Sequence, residues 1–290
     1  MVVESYGLVE SQGAPQFGLR RYGVPVGGWF DQRSAMISNA LVGRATDSVC
    51  LELTMASVRL LCTASAQFSL AGAPCEVRIN TQLQASSGLY FVKPNSEIFL
   101  KPPPHGVRTY LSAAFLDIPV PGTRIPRGHE LRIAEQSGFC LGRPLDGDPL
   151  PDGVVLRVVS GAHAELFDTK HFLTQSFSVS ARLNRVGIRL EQQGFPHALE
   201  LTSEPAGFGT VQVTPDGSPI ILGPDGPTIG GYPKIAHVIS ADLDALGQLR
   251  AGQTVRFERV ELDEARRLRT LQLNDQQRKM SEIRLALGAS

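Results

Sequence analysis

The sequence predicts a mainly β protein. The chain of 290 residues contains 29 glycines and 20 prolines, about a sixth of all residues. Glycine and proline are the two poorest helix formers, whereas short strands joined by tight turns need both. Hydrophobic residues make up 42% of the chain and charged residues 19%, which is enough apolar material for a sizeable core. Many short apolar stretches lie between turn residues, and the length allows two domains.

One helix is predicted near the N-terminus, before the first series of strands. Asp31 is a candidate N-cap, apolar residues recur at helical spacing up to Leu41, and Gly43 is placed to end the helix in a left-handed conformation. The strands predicted after this helix are short and bounded by turn residues. They are residues 49–54, 58–62, 67–70, 76–79, 88–92, 98–101 and 107–113.

A stretch rich in proline and glycine divides the chain, with six prolines between residues 118 and 151. The sequence therefore predicts an N-terminal β-domain at 1–120, a junction at 121–153 and a C-terminal β-domain at 154–290. A helix is predicted at the end of the second domain, from Glu261 to about Leu287. The strands predicted in that domain are residues 156–159, 176–179, 187–190, 199–202, 209–213 and 220–222.

Charge and cysteine content exclude several classes of protein. The formal net charge is zero, so the chain lacks the long-range field with which proteins attract nucleic acids or anionic membranes. Without a signal-peptide pattern or an apolar run of about 18 residues, we expect a cytoplasmic protein that does not enter membranes. The four cysteines have no C-x-x-C spacing and are expected to be reduced and mostly buried. They are Cys50, Cys62, Cys75 and Cys140.

Most motifs that would identify a reaction are absent from the sequence. It contains no phosphate-binding G-x-x-x-x-G-K-[ST], no G-x-G-x-x-G between a strand and a helix, no H-E-x-x-H and no G-x-S-x-G. Asp168 and His171 have a loose metal-ligand spacing, but a surface hydrogen bond explains the pair better. No metal site is predicted.

Polar residues and glycines are dense between Arg182 and Arg250, which makes this segment the candidate for chemistry. Arg185 can offer a planar fork to a carboxylate, and Asn184 would lie on the opposite face if this stretch is extended; an exposed strand edge is the alternative. Glu204 follows an apolar strand, as a site residue or as a turn cap. Gln212 stands between two valines, so its amide faces away from the core if the valines are buried.

The densest part of this segment is Thr228-Ile-Gly-Gly-Tyr-Pro-Lys-Ile235. Gly230 and Gly231 allow a ligand to approach the backbone and offer N–H groups to an oxyanion. Tyr232 supplies a ring and a hydroxyl, and Lys234 adds a positive charge. A tight hairpin with exposed polar tips is the alternative interpretation.

Several separated motifs together carry a family resemblance. They are N-R-V-G-I-R-L at 184–190, S-E-P at 203–205, T-V-Q-V at 210–213, G-G-Y-P-K-I at 230–235 and, in the first half, L-E-L-T at 51–54. Taken together in chain order, they resemble the carboxyltransferase family that includes the C subunit of 5-oxoprolinase, the Kip inhibitor antagonist KipA and allophanate hydrolase subunit 2. The likeness covers nearly the whole chain, and G-G-Y-P-K-I is its most specific part.

The resemblance implies two cyclophilin-like β-barrel domains, the second being the carboxyltransferase domain, with a few short helices and a C-terminal helix. It also implies partners: a companion Kip inhibitor-like B subunit and, in 5-oxoprolinase, a third subunit. Together they open the lactam of 5-oxoproline to glutamate with ATP, which is bound with or by a partner subunit. In urea carboxylase-type fusions the similar region instead passes a carboxyl group from carboxybiotin to urea, so biotin belongs to that alternative.

The resemblance also implies which residues form the site. Lys234, Arg185 and Gln212 would be catalytic, with Lys234 and Arg185 stabilising anionic oxygens, while Gln212 and Glu204 would hold the amide edge of the substrate. The other substrate-binding residues implied are Asn184, Thr228, Gly230, Gly231 and Tyr232.

The N-terminal loops depart from the family pattern. The usual Q-D-x-G-R-x-G is here Gln12-Gly-Ala-Pro-Gln-Phe-Gly18, without the acid and the arginine, and the usual Asp-x-Gln-Thr is Asp225-Gly-Pro-Thr228. Three functions therefore stay open. They are a 5-oxoprolinase-type subunit, a biotin-dependent carboxyltransferase-like subunit for another urea or amide substrate, and a non-catalytic regulatory partner of a Kip inhibitor-like protein.

Overall fold

The computed structural model describes residues 2–135, 153–192, 194–199 and 201–288. Strands dominate this part of the chain, and the described helices are few, with the longest at the C-terminal end. The predicted mainly β fold with a C-terminal helix is therefore confirmed. Of the predicted junction at 121–153, residues 136–152 lie outside the described residues, as does Cys140.

The elements follow one another in a simple order. The α-helices are α1 (Gln32–Leu41), α2 (Thr169–Thr174), α3 (Leu243–Leu246) and α4 (Leu262–Ala286), and single 3-10 turns occupy Arg20–Tyr22 and Ala164–Leu166. The strands of the first half are β1 (Val2–Gln12), β2 (Cys50–Cys62), β3 (Ala66–Gly72), β4 (Val77–Ile79), β5 (Gln82–Gln84), β6 (Gly88–Val92), β7 (Ser96–Leu100), β8 (Arg108–Ala113) and β9 (His129–Glu130). Those of the second half are β10 (Gly153–Ser160), β11 (Phe177–Leu183), β12 (Gly187–Glu191), β13 (Glu204–Pro205), β14 (Thr210–Val213), β15 (Pro219–Leu222), β16 (Ile229–Gly230), β17 (Lys234–Val238) and β18 (Thr254–Arg259).

The chain divides into two compact units. The first comprises the described residues of Met1–Ala14, Asp31–Pro149 and Gln276–Ser290, and the second those of Pro15–Phe30 and Leu150–Asp275. In the first unit the strand order is β5-β4-β7-β2-β8-β3-β6, with β1 paired to β2 and β9 paired to β1. One face of this sheet carries the apolar core, which includes Leu51, Leu70 and Leu111.

The prediction of two separate strands at residues 49–54 and 58–62 is wrong, because β2 runs unbroken through both. The reason is a β-bulge: the pairing of β1 with β2 shifts register between Tyr6 and Leu8. Gly7 has φ +122° in the bulge and Met55 opposite has φ +46°. A Cβ on Gly7 would lie 2.7 Å from Ala56 Cα, so the two strands can stay paired through the bend only with glycine there.

Helix α1 has the predicted boundaries. The Asp31 carboxylate accepts a hydrogen bond from Ser34 N–H at 3.0 Å, as an N-cap does. Gly43 follows the helix with φ +69°. The helix contacts the sheet through polar groups as well, since the Ser38 hydroxyl lies 3.0 Å from that of Ser69. The start and stop signals in the sequence are confirmed.

A buried ionic network lies on β2 and β8, on the sheet face next to α1. Glu52 Oε1 accepts a hydrogen bond from Arg108 Nε at 3.1 Å, and Glu52 Oε2 accepts one from the Tyr110 hydroxyl at 2.7 Å. That hydroxyl in turn accepts a bond from Asp31 N–H at 2.9 Å. Glu52 and Tyr110 are fully buried. Burial, and then the charge of Glu52, raises the pKa of Tyr110 well above its ordinary value, so the phenol keeps the proton it donates.

The second unit is a closed barrel with the strand order β10-β17-β14-β15-β12-β11-β18, closed by the parallel pairing of β10 with β18. Its interior holds a cluster of apolar side chains that includes Phe30, Phe177 and Val211. The prediction of a strand at residues 199–202 is wrong, since the described residues there are irregular. The His197 ring explains this, because its Nδ1 accepts a hydrogen bond from Leu199 N–H at 3.2 Å. In a strand this N–H group would donate to a neighbouring strand instead.

Asp168 and His171 form a helix cap. The Asp168 carboxylate accepts a hydrogen bond from His171 N–H at 2.9 Å at the start of α2. Across the described ranges there is no group of three metal-ligating side chains. None of the described helices is both long enough and apolar enough to cross a bilayer.

The described cysteines are predicted to resist thiol reagents. Cys50, Cys62 and Cys75 are free and buried, and burial raises the pKa of the Cys75 thiol to about 12 and also raises the pKa of Cys62. The thiolate is the reactive form, so at about pH 8 it is scarce as well as inaccessible. In a Cys140→Ser variant we expect no rapid thiol titration in the native state and three thiols in denaturant. A fast-reacting native thiol would contradict the burial of these residues.

Candidate functional site

A row of polar side chains lies on the outer face of the barrel, on the adjacent strands β14 and β17. Val211 and Val213 are fully buried in the core, so Gln212 between them points to the opposite face, as predicted. Gln212 lies directly across from Lys234 in the strand register. Side chains at directly opposed positions are neighbours on one face of a sheet. The structure therefore brings these two predicted site residues together.

Lys234 forms an ion pair with a third predicted residue, Glu204. Lys234 Nζ lies 3.2 Å from Glu204 Oε2 and 3.5 Å from the carbonyl oxygen of Gly230. The lysine side chain is 4% exposed, whereas the glutamate side chain is 46% exposed. Glu204 is on β13, which pairs with β16, and its direct partner in the register is Gly230. The site thus has a buried cation with a half-exposed carboxylate above it.

The amide of Gln212 is buried beside the glycine pair. Gln212 is 4% exposed, and its Nε2 has no hydrogen-bond partner among the described residues. A Cβ on Gly230 would lie 2.9 Å from this nitrogen, so the absence of a side chain at Gly230 leaves the amide its space. A buried N–H₂ group without an acceptor is costly, which marks it as a donor available to a ligand.

His163 belongs to this group of residues, although the sequence did not single it out. Its Nδ1 accepts a hydrogen bond from Lys234 N–H at 3.2 Å, and its backbone N–H donates to Lys234 O at 3.0 Å. His163 Nε2 lies 3.7 Å from Glu204 Oε2. Gly161 makes this approach possible, because a Cβ there would lie 2.2 Å from Lys234 O.

His237 extends the polar row along the same two strands. Its Nδ1 lies 3.2 Å from the Thr210 hydroxyl, which accepts a hydrogen bond from Gly207 N–H at 3.1 Å. A hydroxyl can both donate and accept, so Thr210 can hold the His237 ring in either neutral tautomer. Burial, and secondly the charge of Lys234, lowers the pKa of His237 below its ordinary value of 6.5.

The lowered pKa of His237 predicts a pH dependence of stability. The unfolded chain binds a proton at this residue more readily than the folded chain does, so the free energy of unfolding falls as the pH drops below about 6.5. In His237→Gln this contribution is absent. We expect urea denaturation between about pH 8 and about pH 5.5 to show that the free energy of unfolding falls more steeply with decreasing pH in the wild type than in the variant. Parallel pH profiles would contradict the assignment.

Arg185 and Asn184 are engaged in holding loops. The Arg185 guanidinium makes a bidentate pair with Asp225, at 2.7 and 3.1 Å, and also donates to the carbonyl oxygen of Gly28. Asn184 lies in the turn between β11 and β12, where its Oδ1 accepts hydrogen bonds from the N–H groups of Val186 and Gly187. This stretch is a turn and is not extended, because the Asn184 side chain caps it.

The N-terminal loop of the second unit, residues 15–30, contacts the paired strands β13 and β16. Arg20 Nη2 donates to the carbonyl oxygens of Ala206 and, at 3.2 Å, Thr228, one on each side of the β13–β16 pair. Gly207 lies against the guanidinium, since a Cβ there would be 3.0 Å from Arg20 Nη1. The loop is also held by Gly27, whose N–H donates to Pro224 O at 2.9 Å. Arg20 thus bridges the two strands at one end of the pair that carries Glu204.

The remaining predicted residues lie around the edge of the site. Thr228 contributes its carbonyl oxygen to Arg20 and to Ala206 N–H, and Tyr232 is 44% exposed. Gly231 lies close to the backbone of Leu201, since a Cβ would approach its carbonyl oxygen to 3.0 Å. Four residues that the sequence analysis did not propose for the site interact with predicted site residues or with the loops around them, in most cases across a long stretch of sequence. They are Arg20, His163, Asp225 and His237.

Comparison with known proteins gives consistent similarities. The family model described as "Carboxyltransferase domain, subdomain A and B" matches residues 22–259. The chain is 31% identical over 302 residues to the C subunit of 5-oxoprolinase from Escherichia coli, with 96% of this chain and 94% of that protein covered. It is 29% identical over 289 residues to the C subunit of 5-oxoprolinase from Haemophilus influenzae, with 92% of each covered.

More distant similarities include much longer proteins. The chain is 24% identical to a putative urea carboxylase of Emericella nidulans, covering 88% of this chain but 23% of that protein. Among solved structures, the Kluyveromyces lactis urea carboxylase superposes with a TM-score of 0.82 at 22% identity, over 96% of this chain and 29% of that one. A further crystal structure matches with a TM-score of 0.77 at 24% identity, and the chain spans 56% of its length. These likenesses to solved structures support the fold alone.

Proposed function

Since the chain belongs to the carboxyltransferase domain family, subdomains A and B, we propose that it is a subunit of an ATP-dependent 5-oxoprolinase-type complex. The complex opens a small cyclic amide, 5-oxoproline, to glutamate. The observation that carries this proposal is the ion pair of the buried Lys234 with the half-exposed Glu204, next to the Gln212 amide, whose Nε2 has no partner among the described residues.

The arrangement of donors and acceptors is complementary to an amide. Lys234 Nζ and Gln212 Nε2 can donate to the carbonyl oxygen, where negative charge develops when water adds to the carbonyl carbon. Glu204 can accept a hydrogen bond from the amide N–H. Because the charge of Lys234 is balanced by that of Glu204, the pair suits a small neutral amide group better than a phosphate.

Each residue then has a role in the proposed ring opening. Water adds to the lactam carbonyl carbon, the C–N bond breaks, and the nitrogen gains a proton to become the amine of glutamate. Lys234 and Gln212 hold the oxygen while Glu204 orients the nitrogen. We assign Arg185 to holding residues 15–30, because its guanidinium is bound to Asp225 and Gly28.

ATP and the partners remain part of the proposal. The sequence contains no phosphate loop, which supports binding of ATP by, or together with, a Kip inhibitor-like companion subunit or a third subunit. The names of the Escherichia coli and Haemophilus influenzae relatives support a multi-subunit assembly.

The experiment that tests this function is co-purification of the chain with its companion subunits, followed by an ATP hydrolysis assay. We expect ATP turnover that requires 5-oxoproline and releases glutamate. Turnover that instead requires a biotinylated carrier and urea would replace the proposal with the carboxyltransferase alternative. A stable complex without turnover on either substrate would favour the regulatory role.

A further inference from the structure

His163 makes polar contacts with both Glu204 and Lys234, which a residue that only fills space would not need. The histidine side chain is 14% exposed, and the ring lies between the backbone of one site residue and the carboxylate of another. Its position comes from two backbone hydrogen bonds to β17: Gly161 N–H to Ile235 O and His163 N–H to Lys234 O, each 3.0 Å. The ring is therefore held at a fixed place relative to Lys234.

The hydrogen bond to Nδ1 fixes the tautomer of the ring. Lys234 N–H can only donate, so Nδ1 is the acceptor and the proton of the neutral imidazole is on Nε2. This N–H faces Glu204 Oε2 at 3.7 Å, an ion-pair distance that is longer than a hydrogen bond. Contacts in a site without ligand often shorten once the substrate is bound.

Glu204 needs such a partner because of where it lies. The strand β13 has two residues, and the carboxylate is half exposed, so the backbone and the packing restrain it little. Lys234 Nζ and His163 Nε2 both face the same oxygen, Oε2. With both donors at Oε2, the other oxygen of the carboxylate, Oε1, is the one left to accept a substrate N–H.

We propose that His163 is a positioning residue which, as the Nε2–H tautomer, holds Glu204 Oε2 beside Lys234 so that Oε1 meets the substrate amide. This inference rests on the proposed function, in which Glu204 accepts the amide N–H of 5-oxoproline. His163 does not touch the substrate, and its effect is on substrate binding through Glu204.

Two substitutions of similar size separate this role from packing. In His163→Asn the side-chain oxygen can accept from Lys234 N–H, but nothing reaches the place of Nε2. In His163→Gln the longer amide can place an N–H group near Glu204. We expect His163→Asn to raise the KM for 5-oxoproline about tenfold or more, with kcat changed less than about threefold, and His163→Gln to recover most of the loss. Equal KM values for wild type and His163→Asn, or no recovery in His163→Gln, would overturn the proposal.

A second measurement does not depend on activity. In the full chain labelled with ¹⁵N in its six histidines, the His163 signals are assigned by their loss in His163→Asn. We expect the Nε2–H tautomer, and we expect Glu204→Gln to shift the Nε2 signal of His163 while that of His129 is unchanged. An Nδ1–H tautomer, or a His163 signal that does not respond to Glu204→Gln, would overturn the positioning role. A complex inactive on 5-oxoproline would refute the proposed function, while this spectrum still decides the role of His163.

Discussion

Replacing Lys234 by methionine will lower 5-oxoproline-dependent ATP turnover of the assembled complex by about 100- to 1,000-fold, the usual effect of removing one donor to an oxyanion. Methionine keeps the length and the packing of the buried side chain but removes the ammonium group that lies 3.2 Å from Glu204. The measurement is the rate of phosphate release with and without 5-oxoproline. Glutamate formation, followed in parallel, shows whether the remaining ATP hydrolysis is still coupled to ring opening.

The same substitution is not expected to unfold the protein. Glu204 is half exposed and can be hydrated once its partner is gone. The loss of this pair therefore lowers the free energy of unfolding by about 1 kcal/mol or less. Lys170→Met is the matched control, because Lys170 is an exposed lysine on the surface of α2. We expect this control to retain full turnover. Wild-type turnover in Lys234→Met would refute the role of Lys234, and an equal loss in both variants would point to a nonspecific effect.

Local patterns in the sequence were sufficient for the elements and for part of the site. The cap at Asp31 and the stop at Gly43 depend on residues within one turn of each helix end, so they could be recognised without the fold. The orientation of Gln212 follows from strict alternation with Val211 and Val213. The family motifs then brought Lys234 and Glu204 into one hypothesis before their distance was known.

Contacts between distant parts of the chain could not be predicted in this way. Lys234 N–H and its acceptor His163 are 71 residues apart, and Arg20 reaches carbonyl groups 186 and 208 residues further along. Such contacts leave no periodic signal, because the residues around one partner carry no information about a second partner far away in the sequence. The bulge that keeps β2 continuous could not be predicted either. Met55 adopts a positive φ there, and methionine is not a residue type that indicates this conformation.

The second large effect is expected in the first unit, where Glu52→Ala will lower the free energy of unfolding by about 3–5 kcal/mol. The substitution removes the carboxylate that accepts hydrogen bonds from Arg108 and Tyr110, and Arg108 is 4% exposed, so its charge is not readily hydrated. Glu97→Ala is the matched control. The side chains of Glu97 and its partner Arg59 are 44% and 52% exposed, so both charges stay hydrated without the pair and we expect little change in stability.

Because the chain has two compact units, each with its own apolar core, unfolding of the whole chain need not be a single two-state step. Hydrogen exchange is therefore the better measurement, since it reports each strand separately. We expect Glu52→Ala to lower protection most in β2 and β8, to which Glu52, Arg108 and Tyr110 belong. A loss of protection confined to β14 and β17 would contradict this assignment.

A third variant, Glu52→Gln, separates charge from shape in the same network. Glutamine has the volume of glutamate and a carbonyl oxygen that can accept from Tyr110, but it brings no negative charge next to the buried guanidinium of Arg108. If the charge of Glu52 compensates Arg108, Glu52→Gln will lose most of the stability that Glu52→Ala loses, because an uncompensated buried charge is the larger cost. If Glu52→Gln is as stable as the wild type, the network contributes through hydrogen bonds and packing, and the ion pair adds nothing to the fold.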